Sequence, residues 1–329
     1  METDPGSVQT MLLASVPQVP RVGVDALTQQ RFLDDYVLLN RPVIVTDAIR
    51  SWDIESRWTP AALARRFGAE TVQVYNNYFD LQTLMPLSKY LAQHFDKACA
   101  RGSRAMPYVR WYTQLRDAPF SWADRVFAQL HADWRLPAFV PEDGYVLPLA
   151  LGDMKKNPVR DAFPAKGLFI SPRGARTGLH VDPWASCAIL CQLYGSKRWY
   201  LYEPAQARYL RNQSGVVDVT RPDYEKFPAF AKAQLTMTCV LKPGEVIYVP
   251  HGWHHQVECD SDAISLTWNF VHRLTAHSLL AWLQEAHLSE FDLSVLRYFY
   301  SLPVGTNTVE RVLTLIRNQL EQTPVGARL

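Results

Sequence analysis

Between residues 167 and 270 the sequence breaks into short runs rich in β-branched and aromatic side chains: 167–170, 177–181, 188–193, 198–202, 236–241, 246–249, 255–258 and 263–270. Turn residues separate them, as in Tyr194-Gly195 and Lys242-Pro243-Gly244-Glu245. In the second of these, Pro at i+1 and Gly supplying positive φ suit a type II turn. Many short strands at close spacing predict a β-sandwich or barrel.

The flanks read differently. Asp25 opens a short helix with Leu27, Phe32, Leu33 and Tyr36 on its apolar side, and Thr59-Pro60 begins another. Residues 42–45, 72–75 and 108–112 read as strands, and about 113–160, rich in Pro, Trp and Asp, as helix fragments and loops. After Thr275 the period becomes helical. Leu279, Trp282, Leu283 and Ala286 form one stripe, and Val309, Val312, Leu313, Ile316 and Leu320 another, opened by an Asn307/Glu310 capping box. The expected class is mainly β with flanking helices. The expected layout is a flexible tail over 1–20, an α/β part over 21–160 packing on the barrel, a barrel core over 161–273 and a helical segment over 274–329.

Composition narrows the function. With 48% hydrophobic residues over 329 positions the chain can bury a substantial core, which excludes disorder as its main state. A net charge of +2 gives no electrostatic reason to expect nucleic acid or an anionic membrane as partner. Five cysteines without a C-x-x-C pair read as buried free thiols in a reducing compartment, with Cys187 and Cys191 on one face of a strand. The first twenty residues have no basic region ahead of their apolar stretch, and no apolar run approaches the ~18 residues of a membrane span. A soluble, cytoplasmic protein is expected, or a nuclear one in a eukaryote.

The segment that carries chemistry is Thr177-Gly178-Leu179-His180-Val181-Asp182-Pro183. His180 and Asp182 are two apart, so on a strand both leave the same face and offer a nitrogen and an oxygen to one divalent metal. A His-x-Asp pair also arises by chance, and a buried His bonded to Asp is usually structural. A third ligand must come from elsewhere, and Pro250-His251-Gly252-Trp253-His254-His255 lies at the edge of a later strand. Two His and one carboxylate on one face of an octahedron leave three positions open, as in non-haem Fe(II) oxygenases.

In these motifs the chain resembles the Jumonji-C (cupin-like) Fe(II)- and 2-oxoglutarate-dependent oxygenases, and most of all the protein hydroxylase branch typified by factor-inhibiting HIF. The resemblance covers about residues 21–273. It implies a double-stranded β-helix, a jelly-roll barrel, with iron held by an H-x-D…H set at His180, Asp182 and His255. His255 is preferred to His254 because the family's ligand falls five residues after the Pro, and period two puts His255 and Val257 on one face. For the cosubstrate carboxylate, the resemblance implies Lys197 in Tyr194-Gly195-Ser196-Lys197-Arg198-Trp199, with Thr177, Tyr108, Thr267 and Asn269 around it. One departure is the apolar Ile189-Leu190 where some hydroxylases carry Asn. Fe(II), 2-oxoglutarate and O2 are the implied cofactors, and the implied reaction is hydroxylation of an unactivated C–H with release of succinate and CO2.

The substrate is less constrained. Trp184, Arg110, Trp111, Asn76, Asn77 and Tyr78 are candidates for its entrance, with a protein or peptide side chain first and a small metabolite or carrier-bound amino acid second. A non-catalytic cupin-like binding protein is a further alternative, as is a different cupin metalloenzyme, which would not need Lys197 and Thr177. The two carboxy-terminal stripes raise a homodimer through these helices, against the alternative that they pack on their own barrel.

Overall fold

A computed structural model describes residues 15–97, 106–112, 126, 129–130, 133–147, 167–285, 287–300 and 302–322. The expectations for 1–14, Cys99, Ala286 and most of 113–160 lie outside the described residues. Two sheets face each other. The small one has the order β13 (Met237–Leu241), β10 (Lys197–Tyr202), β15 (His254–Cys259), β8 (Arg176–His180). The large one runs β1 (Arg21–Gly23), β2 (Val43–Thr46), β14 (Val246–Val249), β9 (Cys187–Tyr194), β16 (Ala263–His272), β7 (Gly167–Ser171), β5 (Tyr108–Tyr112), β3 (Thr71–Tyr75), β4 (Leu81–Pro86), with β6 (Tyr145–Leu147) also on β16. The jelly-roll expectation holds. The strands of 21–112 join the large sheet and widen it.

Alternation along β16 shows how the large sheet is used. Ile264, Leu266, Trp268 and Phe270 enter the main core, while Thr267 and Asn269 face the space between the sheets. β9 does the same, with Cys187, Ile189 and Cys191 in the main core and Ala188 and Leu190 facing inward. The four cysteines among the described residues are buried free thiols, as expected of them. Against the outer face lie α1 (Pro60–Phe67) and α2 (Leu87–His94), contributing Leu63, Phe67, Leu87, Tyr90 and Leu91. Each such fully buried side chain contributes about 1.5–3 kcal/mol.

The amino-terminal helix differs from expectation. Asp25 sits in a single 3-10 turn, and Thr28, whose hydroxyl accepts from the Arg31 N–H at 3.2 Å, caps the helical turn Gln29–Phe32. Asp25 is spent instead on an ion pair with Arg50 at 2.8 Å. The Lys242–Glu245 turn is as expected, with Gly244 at φ 88°.

The carboxy-terminal segment forms α3 (Ala276–Glu285), α4 (Glu290–Tyr300) and α5 (Thr308–Gln322). Leu279, Leu283, Val312 and Ile316 meet one another and Val146, Leu147 and Val271 in a second core. The buried members of both stripes thus pack within the chain, and Trp282, Val309, Leu313 and Leu320 are half-buried against the same core. No described helix is long and apolar enough to cross a membrane.

His272 ends β16 almost without exposure, its ring edge-on to Tyr145 and its Nδ1 accepting from the Leu274 N–H at 3.3 Å. Burial, then Arg273, push its pKa down to about 4 from 6.5. The unfolded chain takes up this proton first, so stability present above pH ~6.5 is lost as pH falls toward 4. The loss attributable to this site approaches about 3 kcal/mol, and denaturant midpoints of wild type and His272→Gln across this window are expected to converge at low pH.

Candidate metal centre

β8 and β15 pair antiparallel with His180 opposite His255 and Thr177 opposite Val257. Between these two pairs β8 has two residues where β15 has one, a β-bulge. Strict alternation would put Thr177 and His180 on opposite faces, but the extra residue returns both to the cavity. Gly178 permits this. Its N–H donates to the Asn77 carbonyl at 3.0 Å, and a Cβ there would lie 2.8 Å from that oxygen.

The two imidazoles are oriented by the backbone. His180 Nδ1 lies 2.8 Å from the Gly178 carbonyl and His255 Nδ1 lies 3.1 Å from the Trp253 carbonyl. A carbonyl oxygen only accepts, so each Nδ1 carries the hydrogen and each Nε2 presents a lone pair. The ring centroids are 4.2 Å apart. Asp182, just beyond the strand, places Oδ2 4.0 Å from His255 Nε2, and that oxygen is buried without a hydrogen-bond partner. Donor atoms of all three lie within 4.8 Å of one another, the sole such group found among the described residues. Trp199 stacks on His255 at 5.6 Å and Phe79 meets His180 edge-on at 5.0 Å. Burial, then His255, hold His180 well below its usual value, so it stays neutral at pH 7 and keeps its lone pair.

On β10 the inward residues are Leu201 opposite His255, Trp199 opposite Val257, and Lys197 opposite Cys259. Gly195, at φ 65°, turns the chain into this strand so tightly that a Cβ would meet the Asp262 carbonyl. Lys197 is 4% exposed, and its Nζ stands 5.5 Å from the Phe169 ring. Burial pulls its pKa down. Among the described residues no carboxylate pairs with it, so an anion in the cavity would relieve the cost of burying its charge. The cavity holds about 410 Å³. Lys197, Thr177, His180, Asp182 and His255 all line it.

The other expected residues divide. Thr267 and Asn269 line the cavity from β16; the Thr267 hydroxyl donates to the Ile189 carbonyl at 3.0 Å, and Asn269 Nδ2 is buried without a partner. Asn269 pairs with Ala188 and Thr267 with Leu190, so the polar group missing from β9 is supplied by the adjacent strand. Arg110 and Trp184 also line the cavity. Tyr108 does not. It shares the inward face of β5 with Arg110 but lies beyond Phe169, on which it stacks at 6.2 Å.

Of the remaining substrate candidates, one is placed away from the cavity and two sit at the β3–β4 turn. Trp111 is fully buried in the main core, edge-on to Phe67, because it alternates with Arg110 and takes the outer face. Asn76 accepts from the Tyr78 and Asp80 N–H groups and so shapes the β3–β4 turn, and Tyr78 stands 66% exposed at that turn. His254 faces away from His180, and His251 lies in the loop with its ring against His277. The sequence reading missed Tyr75, Phe79, Phe169, Phe291 and Asp292, which complete the cavity wall. A Ser289-x-x-Asp292 capping signature marks the start of α4, but nothing local tells that α4 reaches the cavity mouth.

Comparison with known proteins agrees with this geometry. A family described as a cupin-like domain matches residues 29–276. The 2-oxoglutarate and iron-dependent oxygenase JMJD4 of Gallus gallus is 25% identical over 288 residues, 80% of this chain and 62% of that protein. The arginine-specific demethylase JMJ20 of Arabidopsis thaliana is 26% identical over 274 residues, covering 78% and 58%. The bifunctional arginine demethylase and lysyl-hydroxylase psr-1 of Caenorhabditis briggsae is 24% identical over 269 residues, covering 77% and 61%. The chain thus spans about three fifths of the length of these relatives.

The pairing register separates the two adjacent histidines experimentally. His255→Ala is expected to lower Co(II) or Mn(II) affinity at least ~100-fold, whereas His254→Ala leaves it within about threefold, as read by metal titration of the apo-protein.

Proposed function

The chain belongs to the cupin-like domain family, and from that premise we propose that it is an Fe(II)- and 2-oxoglutarate-dependent oxygenase acting on a protein or peptide side chain. The reaction is hydroxylation of an unactivated C–H, with conversion of 2-oxoglutarate to succinate and CO2. The observation that carries this reading is the convergence, in one cavity, of a His-Asp-His group and a buried lysine without a carboxylate partner.

The residues present fit the metal. His180, Asp182 and His255 would hold it, two through lone pairs already aimed and one through a carboxylate oxygen that lacks any other partner. A metal held by only three protein ligands would keep coordination positions for other donors. Bound iron supplies the oxidising power for C–H cleavage.

The rest is the work of this chain's side chains. Lys197 takes the distal carboxylate of the cosubstrate by a charge-assisted bond, with the Thr177 hydroxyl on the same wall. Asn269 Nδ2 has a donor to offer at the opposite wall. Ala188, Leu190, Trp199, Val249 and Val257 exclude water around them. Tyr75, Phe79 and Arg110 line the rest of the cavity, where the substrate would lie. A protein side chain is favoured because relatives are named as arginine demethylases and a lysyl-hydroxylase.

Iron-loaded protein is expected to release succinate only when Fe(II) and 2-oxoglutarate are both present. Lys197→Met should raise the KM for 2-oxoglutarate ~10–100-fold while leaving metal affinity unchanged, since a hydrogen bond to a charged group contributes about 1.5–3 kcal/mol. A folded, loaded protein that neither binds nor consumes 2-oxoglutarate would refute the proposal.

A further inference from the structure

Immediately after Asp182 the chain enters the 3-10 turn Pro183–Ala185, in which Trp184 (φ 58°) and Ala185 (φ 48°) both occupy the left-handed region. Two consecutive non-glycine residues in that region are strained, and they persist only where surrounding structure holds them. Here the holding contacts reach across from the carboxy-terminal helices. The Trp184 indole is 5% exposed and edge-on to Phe299 of α4 at 6.1 Å. Its Nε1–H donates to Asp292 Oδ1 at 3.3 Å, and the Ser278 hydroxyl of α3, which donates to the Thr275 carbonyl at 2.6 Å, stands 3.2 Å from the Ala185 carbonyl.

Asp292 is itself fixed. Its Oδ2 accepts from the Ser289 N–H at 3.0 Å and the Ser289 hydroxyl at 2.6 Å, and that hydroxyl accepts from the Asp292 N–H at 3.1 Å. This reciprocal capping box starts α4 and leaves the other carboxylate oxygen for the indole. Asp292, its neighbour Phe291 and Trp184 all line the cavity that contains the metal-ligating side chains.

We propose that the Trp184–Asp292 contact is a latch through which α4 holds the strained turn and so sets the position of Asp182. Trp184 and Asp292 are positioning residues: they act on the metal through the Asp182 backbone. A substrate that displaces Phe291 or Asp292 at the mouth therefore alters the grip on the metal. The inference rests on the metal-centre reading of His180, Asp182 and His255.

The test is Co(II) titration of the apo-protein, with thermal melting recorded for each variant. Trp184→Phe keeps the ring packing but removes the N–H, and it is expected to weaken Co(II) binding ~10-fold. Adding Ala185→Gly, which adopts positive φ without strain, should recover most of that loss. Asp292→Asn must keep its oxygen for the Ser289 N–H and turns its amide toward the indole, so the same weakening is expected should Trp184→Phe not fold. Val312→Ala, in the same helical core, should lower the melting temperature with Co(II) affinity unmoved. Wild-type affinity in folded Trp184→Phe, or weakening in Val312→Ala that tracks its lost stability, overturns the latch. Wild-type protein that binds no Co(II) overturns the metal centre itself, and with it the latch.

Discussion

The antiparallel pairing of β8 with β15, and the extra residue that β8 carries beside it, govern what the cavity contains. Pairing His180 with His255 brings two imidazoles from distant stretches to one point. The bulge then places Thr177 on the same wall, and the Gly178 carbonyl that it exposes orients the His180 ring. A slip of one residue would exchange the inward and outward side chains of β15 and put His254 in place of His255. The surrounding fold defends this register. The outer face of the small sheet is covered by a polar network in which Arg176 pairs with Asp218 at 2.9 Å and Gln256 donates to Asp218 at 2.8 Å.

The interior pays for these groups in stability. Lys197 is buried and His180 and Asp182 are half-buried, and burial opposes the charge on Lys197. A wholly apolar interior at these positions would fold with less penalty. Such an arrangement suits ligands of opposite charge: a cation beside the carboxylate and an anion beside the ammonium each offset a desolvation cost. The large sheet bears the compensation. Its strands are apolar toward the helices and polar or small toward the cavity, so one layer serves as both core and site wall.

Much of this was legible in the sequence. Period two placed His180 with Asp182, the resemblance chose His255 over His254 with period two in support, and the closely spaced runs matched the barrel strands to within a few residues. What stayed hidden depends on contacts between distant segments. Thr177 was assigned by resemblance, while parity argued against it, because a bulge has no local signature apart from Gly178. Arg110 and Trp111 are neighbours on a strand buried on both faces, so alternation says that one of them faces the cavity but not which. Tyr108 shares the inward face of β5, yet Phe169 from a neighbouring strand intervenes. Phe291 and Asp292 lie more than one hundred residues from Asp182, and only the packing of α4 onto Trp184 brings them to the mouth.

The central claim is that metal and diacid are bound as one unit within a single cavity. Anaerobic calorimetric titration of 2-oxoglutarate into the protein, with and without one equivalent of Fe(II), tests it most directly. One-to-one binding that requires the metal is the predicted result. Equal binding in the absence of metal, or none in its presence, would contradict it.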